Sequence, residues 1–122
     1  MISFKVALVS VTVTSIVYGA VVVGASDDEV QFVIDINLTE AILCTRAVGA
    51  HMLERRSGKV ISISSWTASK GGGELVLYTA AKTALVGFTR AQALEWAPYG
   101  VHVNAIAPGI FPDPVTSGEK RT

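Results

Sequence analysis

The run from Lys59 to Ser65, Lys-Val-Ile-Ser-Ile-Ser-Ser, is short, rich in β-branched residues and directly preceded by Ser57-Gly58. These features predict a strand that begins where a helix has just ended. A second run of the same kind, Val101 to Ile106 (Val-His-Val-Asn-Ala-Ile), comes after Pro98 and Gly100. It is predicted to be a second strand, again placed directly after the end of a helix.

Each predicted strand follows a predicted helix. Ser26-Asp27-Asp28-Glu29 has the S-x-x-E form of a capping box and should start a helix of roughly 28 residues, or about 42 Å, that ends near Arg56. Apolar residues recur along it at Phe32, Val33, Ile36, Ala47, Val48, Met52 and Leu53. A loop is predicted at 69–73. The second helix, from about Leu77 to Trp96, carries small residues that should let a neighbouring element approach closely, namely Ala80, Ala81, Ala84, Gly87 and Ala91.

The order helix, strand, helix, strand predicts the fold class. Parallel strands joined by right-handed crossovers form an α/β fold, here part of a doubly wound, Rossmann-like parallel sheet. We divide the chain into an apolar N-terminal segment, residues 1–25, and a main segment, residues 26–122.

The N-terminal segment has three interpretations. Val6 to Ser26 is an uncharged run of 21 residues, just long enough to cross a bilayer. Lys5 before it and Val23-Gly24-Ala25 at its end also match a secretory signal. However, Val9, Val11 and Val13 alternate with Ser and Thr, which is the period of a strand with one buried face. We favour the strand over a signal or membrane segment and over a poorly ordered extension.

The composition limits the function classes. With 50% hydrophobic and 16% charged residues the chain is too apolar to be disordered, and ten basic residues balance ten acidic ones without the basic block expected for nucleic acid. Cys44 lies in an apolar helical stretch, where we expect it to be buried. One cysteine forms no disulfide within the chain, which fits a reducing, cytoplasmic location. His51 and His102 lack partners at metal-ligand spacing, so no metal site is predicted.

Tyr78 and Lys82 form the pattern Y-x-x-x-K, whose spacing of four places both side chains on one helix face. A phenol has an unperturbed pKa of about 10, and a neighbouring ammonium stabilises its phenolate, which makes acid–base work near neutral pH possible. Ser65 ends a strand thirteen residues before Tyr78 and can place a hydroxyl beside the phenol. The alternative to a catalytic pair is a surface tyrosine beside a solvated lysine, with no role in chemistry.

Four stretches together resemble the short-chain dehydrogenase/reductase family, in family order and at family spacing. The resemblance covers roughly Asp27 to Gly109, and its motifs are Asp35-Ile36-Asn37-Leu38, Gly58 to Ser65, Tyr78-Thr79-Ala80-Ala81-Lys82, and Gly100 to Gly109. It implies an NAD- or NADP-dependent oxidoreductase that interconverts a carbonyl and a secondary alcohol on a small molecule. It also implies homo-oligomers formed through the helices at 27–56 and 77–96.

The resemblance also implies the site residues. The family's tetrad falls on Asn37, Ser65, Tyr78 and Lys82. Tyr78 would transfer the proton, Ser65 would hold the substrate oxygen, and Lys82 would support Tyr78 and bond the nicotinamide ribose. Asn37 would interrupt its helix and seat a water that relays protons to Lys82. Pro108-Gly109 resembles the loop under the nicotinamide. Ser64 is the alternative hydroxyl, although the spacing of thirteen to Tyr78 favours Ser65.

The chain also departs from the family pattern. It contains no T-G-x-x-x-G-x-G turn for the pyrophosphate, so the choice between NAD and NADP is left open. Asp113 stands where the family often has a threonine for the carboxamide. We therefore expect a shortened form that shows no measurable dehydrogenase activity by itself. The alternatives are a catalytically inactive interaction module that dimerises through the same helices and, less favoured, a membrane-tethered fragment.

Overall fold

The computed structural model describes residues 6–9 and 22–110 of the chain. These described residues contain three strands, β1 (Val6–Val9), β2 (Gly58–Ile63) and β3 (Val101–Ile106). The helices are α1 (Asp27–Ile34), α2 (Glu40–Glu54), α3 (Thr67–Lys70) and α4 (Val76–Trp96), with a π-helical turn at Asp35–Thr39 and 3₁₀ turns at Val22–Gly24 and Ala97–Tyr99. The predicted helix–strand–helix–strand order is confirmed.

The three strands form one parallel sheet in the order β1-β2-β3. Val6 pairs with Lys59, and Ile63 pairs with Ile106, so that β2 and β3 end at the same edge. The predicted α/β class with parallel strands is therefore confirmed. Of the apolar N-terminal run, β1 covers Val6–Val9, whereas residues 10–21 lie outside the described part. Among the described helices, none combines the length and apolarity needed to cross a membrane.

The first long helix begins as predicted but is not continuous. The Glu29 N–H donates to Ser26 Oγ over 3.2 Å, and the Ser26 N–H donates to Glu29 Oε2 over 2.8 Å, which completes the capping box. The hydrogen bond from the Ser26 backbone lowers the pKa of the Glu29 carboxyl. The prediction of a single regular helix from periodicity is wrong, because the π turn at Asp35–Thr39 separates α1 from α2.

The core lies on one face of the sheet. Val60 and Val103 are buried there against side chains from the helices, and the whole cluster comprises Ala41, Met52, Val60, Leu85, Trp96, Val101 and Val103. Alternate strand residues point to the other face, where Lys59, His102 and Asn104 are exposed. Helices α2 and α4 are thereby held on one side of the strands.

One expectation about helix faces, the burial of Cys44, is wrong, and the close approach of another element at the small residues of α4 stays a prediction. Of the five small residues of α4 only Ala81 is buried, because the packed face of α4 carries Ala81, Lys82, Leu85, Thr89, Gln92 and Trp96. Cys44 is exposed rather than buried. The packed face of α2 contains Ala41, Thr45, Gly49 and Met52, and Cys44 lies beside that face. Part of the predicted loop at 69–73 is also helical, since α3 extends to Lys70.

The close approach between α2 and α4 uses Gly49. A Cβ at Gly49 would lie 2.6 Å from Cη2 of Trp96, a rigid side chain that is itself in the core. We expect Gly49→Ala to destabilise the chain, because overpacking costs about 1–3 kcal/mol, whereas the higher helix propensity of alanine returns at most about 1 kcal/mol. Urea unfolding measures the difference.

Gly87→Ala is the matched control for this substitution. A Cβ at Gly87, also within a helix, meets nothing within 4 Å. The control should therefore gain up to about 1 kcal/mol from helix propensity alone. Equal effects of the two alanines on the urea midpoint would contradict the proposed contact with Trp96.

Candidate active site

Two of the predicted site elements, Ser65 and Pro108-Gly109, follow the carboxyl ends of β2 and β3. The Ser64 N–H donates to the Ile106 carbonyl over 2.7 Å, and the Trp66 N–H donates to the Pro108 carbonyl over 3.1 Å. The segment 64–66 therefore continues side by side with the segment 106–108 after the strands end. Ser65 and the Pro108-Gly109 loop are brought to the same edge, which is where parallel α/β sheets bind ligands.

Lys82 is the most deeply buried charged residue described. Its side chain is 0% exposed, and its ammonium donates to the Ile63 carbonyl over 2.8 Å. The Lys82 Nζ atom lies 5.7 Å from the ring centroid of the half-buried Tyr78, within the range of cation–π attraction. An ammonium has three N–H donors, and the Ile63 carbonyl takes one. The predicted pairing of Tyr78 and Lys82 on one face of α4 is present.

Burial lowers the pKa of Lys82 from its ordinary value of 10.5. In the alkaline window just below 10.5, the unfolded chain then holds a proton that the folded chain has released, so the free energy of unfolding rises with pH there. We expect Lys82→Met to lose this rise, measured by urea unfolding as the pH is raised toward 10.5. Lys70→Met, at an exposed position, corrects for the loss of one charge. A rise of the same size in the Lys82 variant would contradict the assignment.

Asn37 lies in the π turn and is 6% exposed. The turn is one residue wider than an α-helical turn, since the Glu40 N–H donates to the Asp35 carbonyl five residues back. The Asn37 Nδ2 group donates to the Val33 carbonyl over 2.9 Å. The helix interruption that the resemblance implied is therefore present at Asn37. The water relay from Asn37 to Lys82 stays a prediction.

The two serines after β2 have different surroundings. The Ser64 hydroxyl is 2% exposed and donates to the Lys82 carbonyl over 3.0 Å, so that it ties the strand end to α4. The Ser65 Oγ atom instead accepts from the Thr67 N–H at 3.3 Å and from the Thr67 hydroxyl at 3.1 Å. The Ser64 proton is used within the fold, which favours Ser65 as the hydroxyl that would meet a substrate.

Sequence reasoning missed two contributors to this site. It did not predict that Ser64 anchors α4 at Lys82, because the two residues are eighteen positions apart and only the packed fold brings them together. It also missed Thr67, although a serine and a threonine two positions apart are a common signal for a local hydroxyl–backbone turn. Both residues form a hydrogen bond with a member of the predicted tetrad, Ser64 with Lys82 and Thr67 with Ser65.

The Pro108-Gly109 loop and the two histidines are the other residues that the sequence analysis considered. Pro108 is half-buried, and Gly109 is exposed, with nothing within 4 Å of a Cβ built there. A ligand contact at Gly109 thus stays a prediction. His51 and His102 are both exposed. In the part of the chain that the structure describes, no group of three or more His, Cys, Asp or Glu residues could hold a metal ion. Asp113 lies outside that part.

Comparison with known proteins gives consistent matches. A model of the short chain dehydrogenase family matches residues 8–121. The chain is 42% identical over 95 residues to 2-dehydro-3-deoxy-D-gluconate 5-dehydrogenase of Bacillus subtilis. The aligned region covers 75% of this chain and 37% of that protein. The chain is also 45% identical over 86 residues to a 3-oxoacyl-[acyl-carrier-protein] reductase of Synechocystis, covering 70% and 35%. The chain spans about a third of the length of these relatives.

Solved structures show the same likeness. NAD⁺-bound xylitol dehydrogenase superimposes with a TM-score of 0.71 at 32% identity, over 77% of this chain and 36% of that one. A 3-oxoacyl-[acyl-carrier protein] reductase from Brucella melitensis with bound NAD gives 0.71 at 35% identity, over 80% and 38%. A variant of ElxO with NADPH bound gives 0.74 at 27% identity, over 83% and 43%. These neighbours include proteins with either nicotinamide cofactor.

Proposed function

Because the chain belongs to the short-chain dehydrogenase/reductase family, we propose that it carries the proton-transfer part of an NAD- or NADP-dependent oxidoreductase site. The reaction is the interconversion of a carbonyl and a secondary alcohol on a small molecule. The residues that perform it are Ser65, Tyr78 and Lys82, with Asn37 in support.

The observation that carries this proposal is the buried ammonium of Lys82, which lies 5.7 Å from the ring centroid of the half-buried Tyr78. Burial of a lysine ammonium costs free energy and lowers its pKa, and among the described residues its one hydrogen bond goes to the Ile63 carbonyl. A buried titratable group with a shifted pKa at the edge of a parallel sheet is characteristic of a functional site. A purely structural role does not explain why a charge, rather than an apolar side chain, occupies this position.

The roles follow from where charge develops. In reduction, the carbonyl oxygen becomes an alkoxide, and the Ser65 hydroxyl donates a hydrogen bond to it. The Tyr78 hydroxyl gives its proton to that oxygen, which yields the alcohol. The phenolate that is left on Tyr78 is stabilised by the Lys82 ammonium. In oxidation, the same groups act in reverse, and the Tyr78 phenolate accepts the proton of the alcohol.

The chain's residues fit the nicotinamide half of the cofactor. Two N–H donors of Lys82 lie outside its bond to Ile63 and would hold the ribose, and the space at Gly109 would admit the ring beside Pro108. When bound, NAD(P) supplies or accepts the hydride. The sequence holds no glycine-rich turn for the phosphates, so that part of the cofactor has no counterpart among these 122 residues.

A chimera tests the proposal. In the Synechocystis 3-oxoacyl-[acyl-carrier-protein] reductase, the matching segment is replaced by the corresponding residues of this chain; we refer to this protein as the reductase chimera. We expect it to reduce a 3-oxoacyl substrate with NADH or NADPH, whichever the host uses. The host and the host with its matching segment deleted are the controls. A folded chimera as inactive as the deleted host would refute the proposed function.

A second candidate is an interaction module that pairs with another copy of itself. A groove of about 260 Å³ between α2 and α4 is lined by Ile42, Arg46, Phe88, Ala91, Gln92, Glu95 and Trp96. Among the described residues, the buried Gln92 Oε1 atom has no hydrogen-bond partner, and Leu43 and Leu94 on the same two helices are 45% and 80% exposed. These features favour a further surface over this face. Light scattering coupled to size-exclusion chromatography tests it.

A further inference from the structure

The hydroxyl of Thr67 has no part in the proposed reaction, yet it is directed at the site. Thr67 is the first residue of α3 and is 1% exposed. Its hydroxyl lies 3.1 Å from Ser65 Oγ, and its backbone N–H lies 3.3 Å from the same atom. Both groups of Thr67 donate, so that Ser65 Oγ accepts two hydrogen bonds from one residue.

Two acceptor bonds determine what the Ser65 hydroxyl can still do. A serine hydroxyl has two lone pairs and one proton. When both lone pairs are engaged, the oxygen can no longer accept from a third partner, and the remaining interaction is donation of its proton. A hydroxyl restricted to donation suits an oxygen that gains negative charge. A hydroxyl that can also rotate to accept a hydrogen bond would spend part of its time with its proton directed away from the substrate oxygen.

We propose that Thr67 is a positioning residue that orients the Ser65 hydroxyl as a donor toward the substrate oxygen. The inference rests on the proposed function, in which Ser65 stabilises that oxygen. Burial of Thr67 strengthens the effect, because water has little access to replace the threonine hydroxyl at Ser65 Oγ. The donation from the Thr67 backbone would persist in any variant, so the side chain contributes one of the two bonds.

The first test asks whether the contact exists in the chain as it is. Thr67→Val removes the hydroxyl at nearly constant shape, and Thr67→Ser retains it. Urea unfolding of Thr67→Val, Ser65→Ala and the double variant forms a double-mutant cycle. We expect Thr67→Val to lower the urea midpoint when Ser65 is present and to have a smaller effect after Ser65→Ala. Equal shifts in both backgrounds would overturn the proposal.

The second test measures catalysis in the reductase chimera. One neutral hydrogen bond contributes about 0.5–1.5 kcal/mol, so we expect Thr67→Val to lower kcat about three- to tenfold with KM nearly unchanged, since the bond acts on the transition state. Thr67→Ser should return kcat to within about twofold of the parent. Thr89→Val is the matched control, because Thr89 is also buried but its hydroxyl bonds the Leu85 carbonyl of its own helix.

The outcomes separate this inference from the proposed function. An active chimera in which Thr67→Val and Thr89→Val have equal effects on kcat, or in which Thr67→Ser fails to restore it, would overturn the role of Thr67 alone. A folded but inactive parent chimera would remove the proposed function, and the inference would fall with it. A fall in kcat that is specific to Thr67→Val and rescued by serine supports both.

Discussion

Turnover of the reductase chimera is expected to fall about 10²- to 10⁴-fold when Tyr78 is replaced by phenylalanine, which is the range that a positioned acid or base contributes. Phenylalanine keeps the ring beside the Lys82 ammonium, 5.7 Å from its centroid, so packing is preserved and only the proton donor is lost. Cofactor affinity should change little, because the ribose contact belongs to Lys82. Steady-state kinetics and fluorescence titration with the cofactor measure the two effects separately.

Tyr99→Phe is the matched control for this experiment. Tyr99 is 43% exposed, and its ring lies beside Arg56 in the 3₁₀ turn after α4, away from the strand ends that carry the site. The control should retain turnover within about twofold, as expected of a substitution outside the reacting groups. If Tyr78→Phe also stayed within about tenfold of the parent, another group would have to supply the proton.

The parts of the fold that were predicted correctly depend on local signals. The capping box at Ser26 and Glu29, the stop at Gly100 and the β-branched run of β3 each fix one end of an element through the residues present there. Gly100 adopts φ 71 with its Cβ position 2.9 Å from the Arg56 carbonyl oxygen, so the residue type itself marks the turn. The spacing of Tyr78 and Lys82 was enough to predict that their side chains are neighbours, because residues four positions apart in a helix lie on the same face.

The features that were missed or mistaken depend on which side of each helix is packed. Cys44 lies in an apolar stretch of α2 and Ala84 in a small-residue stretch of α4, yet both side chains are exposed. Composition alone does not show that the contact between α2 and α4 is made by Gly49 and Trp96. The π turn around Asn37 came only from family resemblance, since its wider register is not visible in the apolar periodicity. Ser64 acts on Lys82 across eighteen residues, which requires the sheet to bring β2 against α4.

A polypeptide of these 122 residues is expected to show no measurable dehydrogenase activity by itself. In the family, the cofactor phosphates receive hydrogen bonds from a glycine-rich turn and a helix N-terminus, and this sequence contains no such turn. Charge-assisted hydrogen bonds contribute about 1.5–3 kcal/mol each. The lack of three would weaken cofactor binding by about 4.5–9 kcal/mol, or about 10³- to 10⁶-fold.

The buried Lys82 ammonium and the Ser65 hydroxyl do not offset that loss, because the proton transfer by Tyr78 has no partner until a nicotinamide lies beside the substrate carbonyl. The α2 and α4 face does not depend on the cofactor, so the same polypeptide should still pair with a copy of itself through the groove beside Trp96. Isothermal titration with NADH and NADPH, together with size-exclusion chromatography and light scattering, measures both properties on one sample. A monomer that binds either cofactor at low micromolar affinity would contradict both expectations and show that the chain assembles a complete cofactor site without the glycine-rich turn.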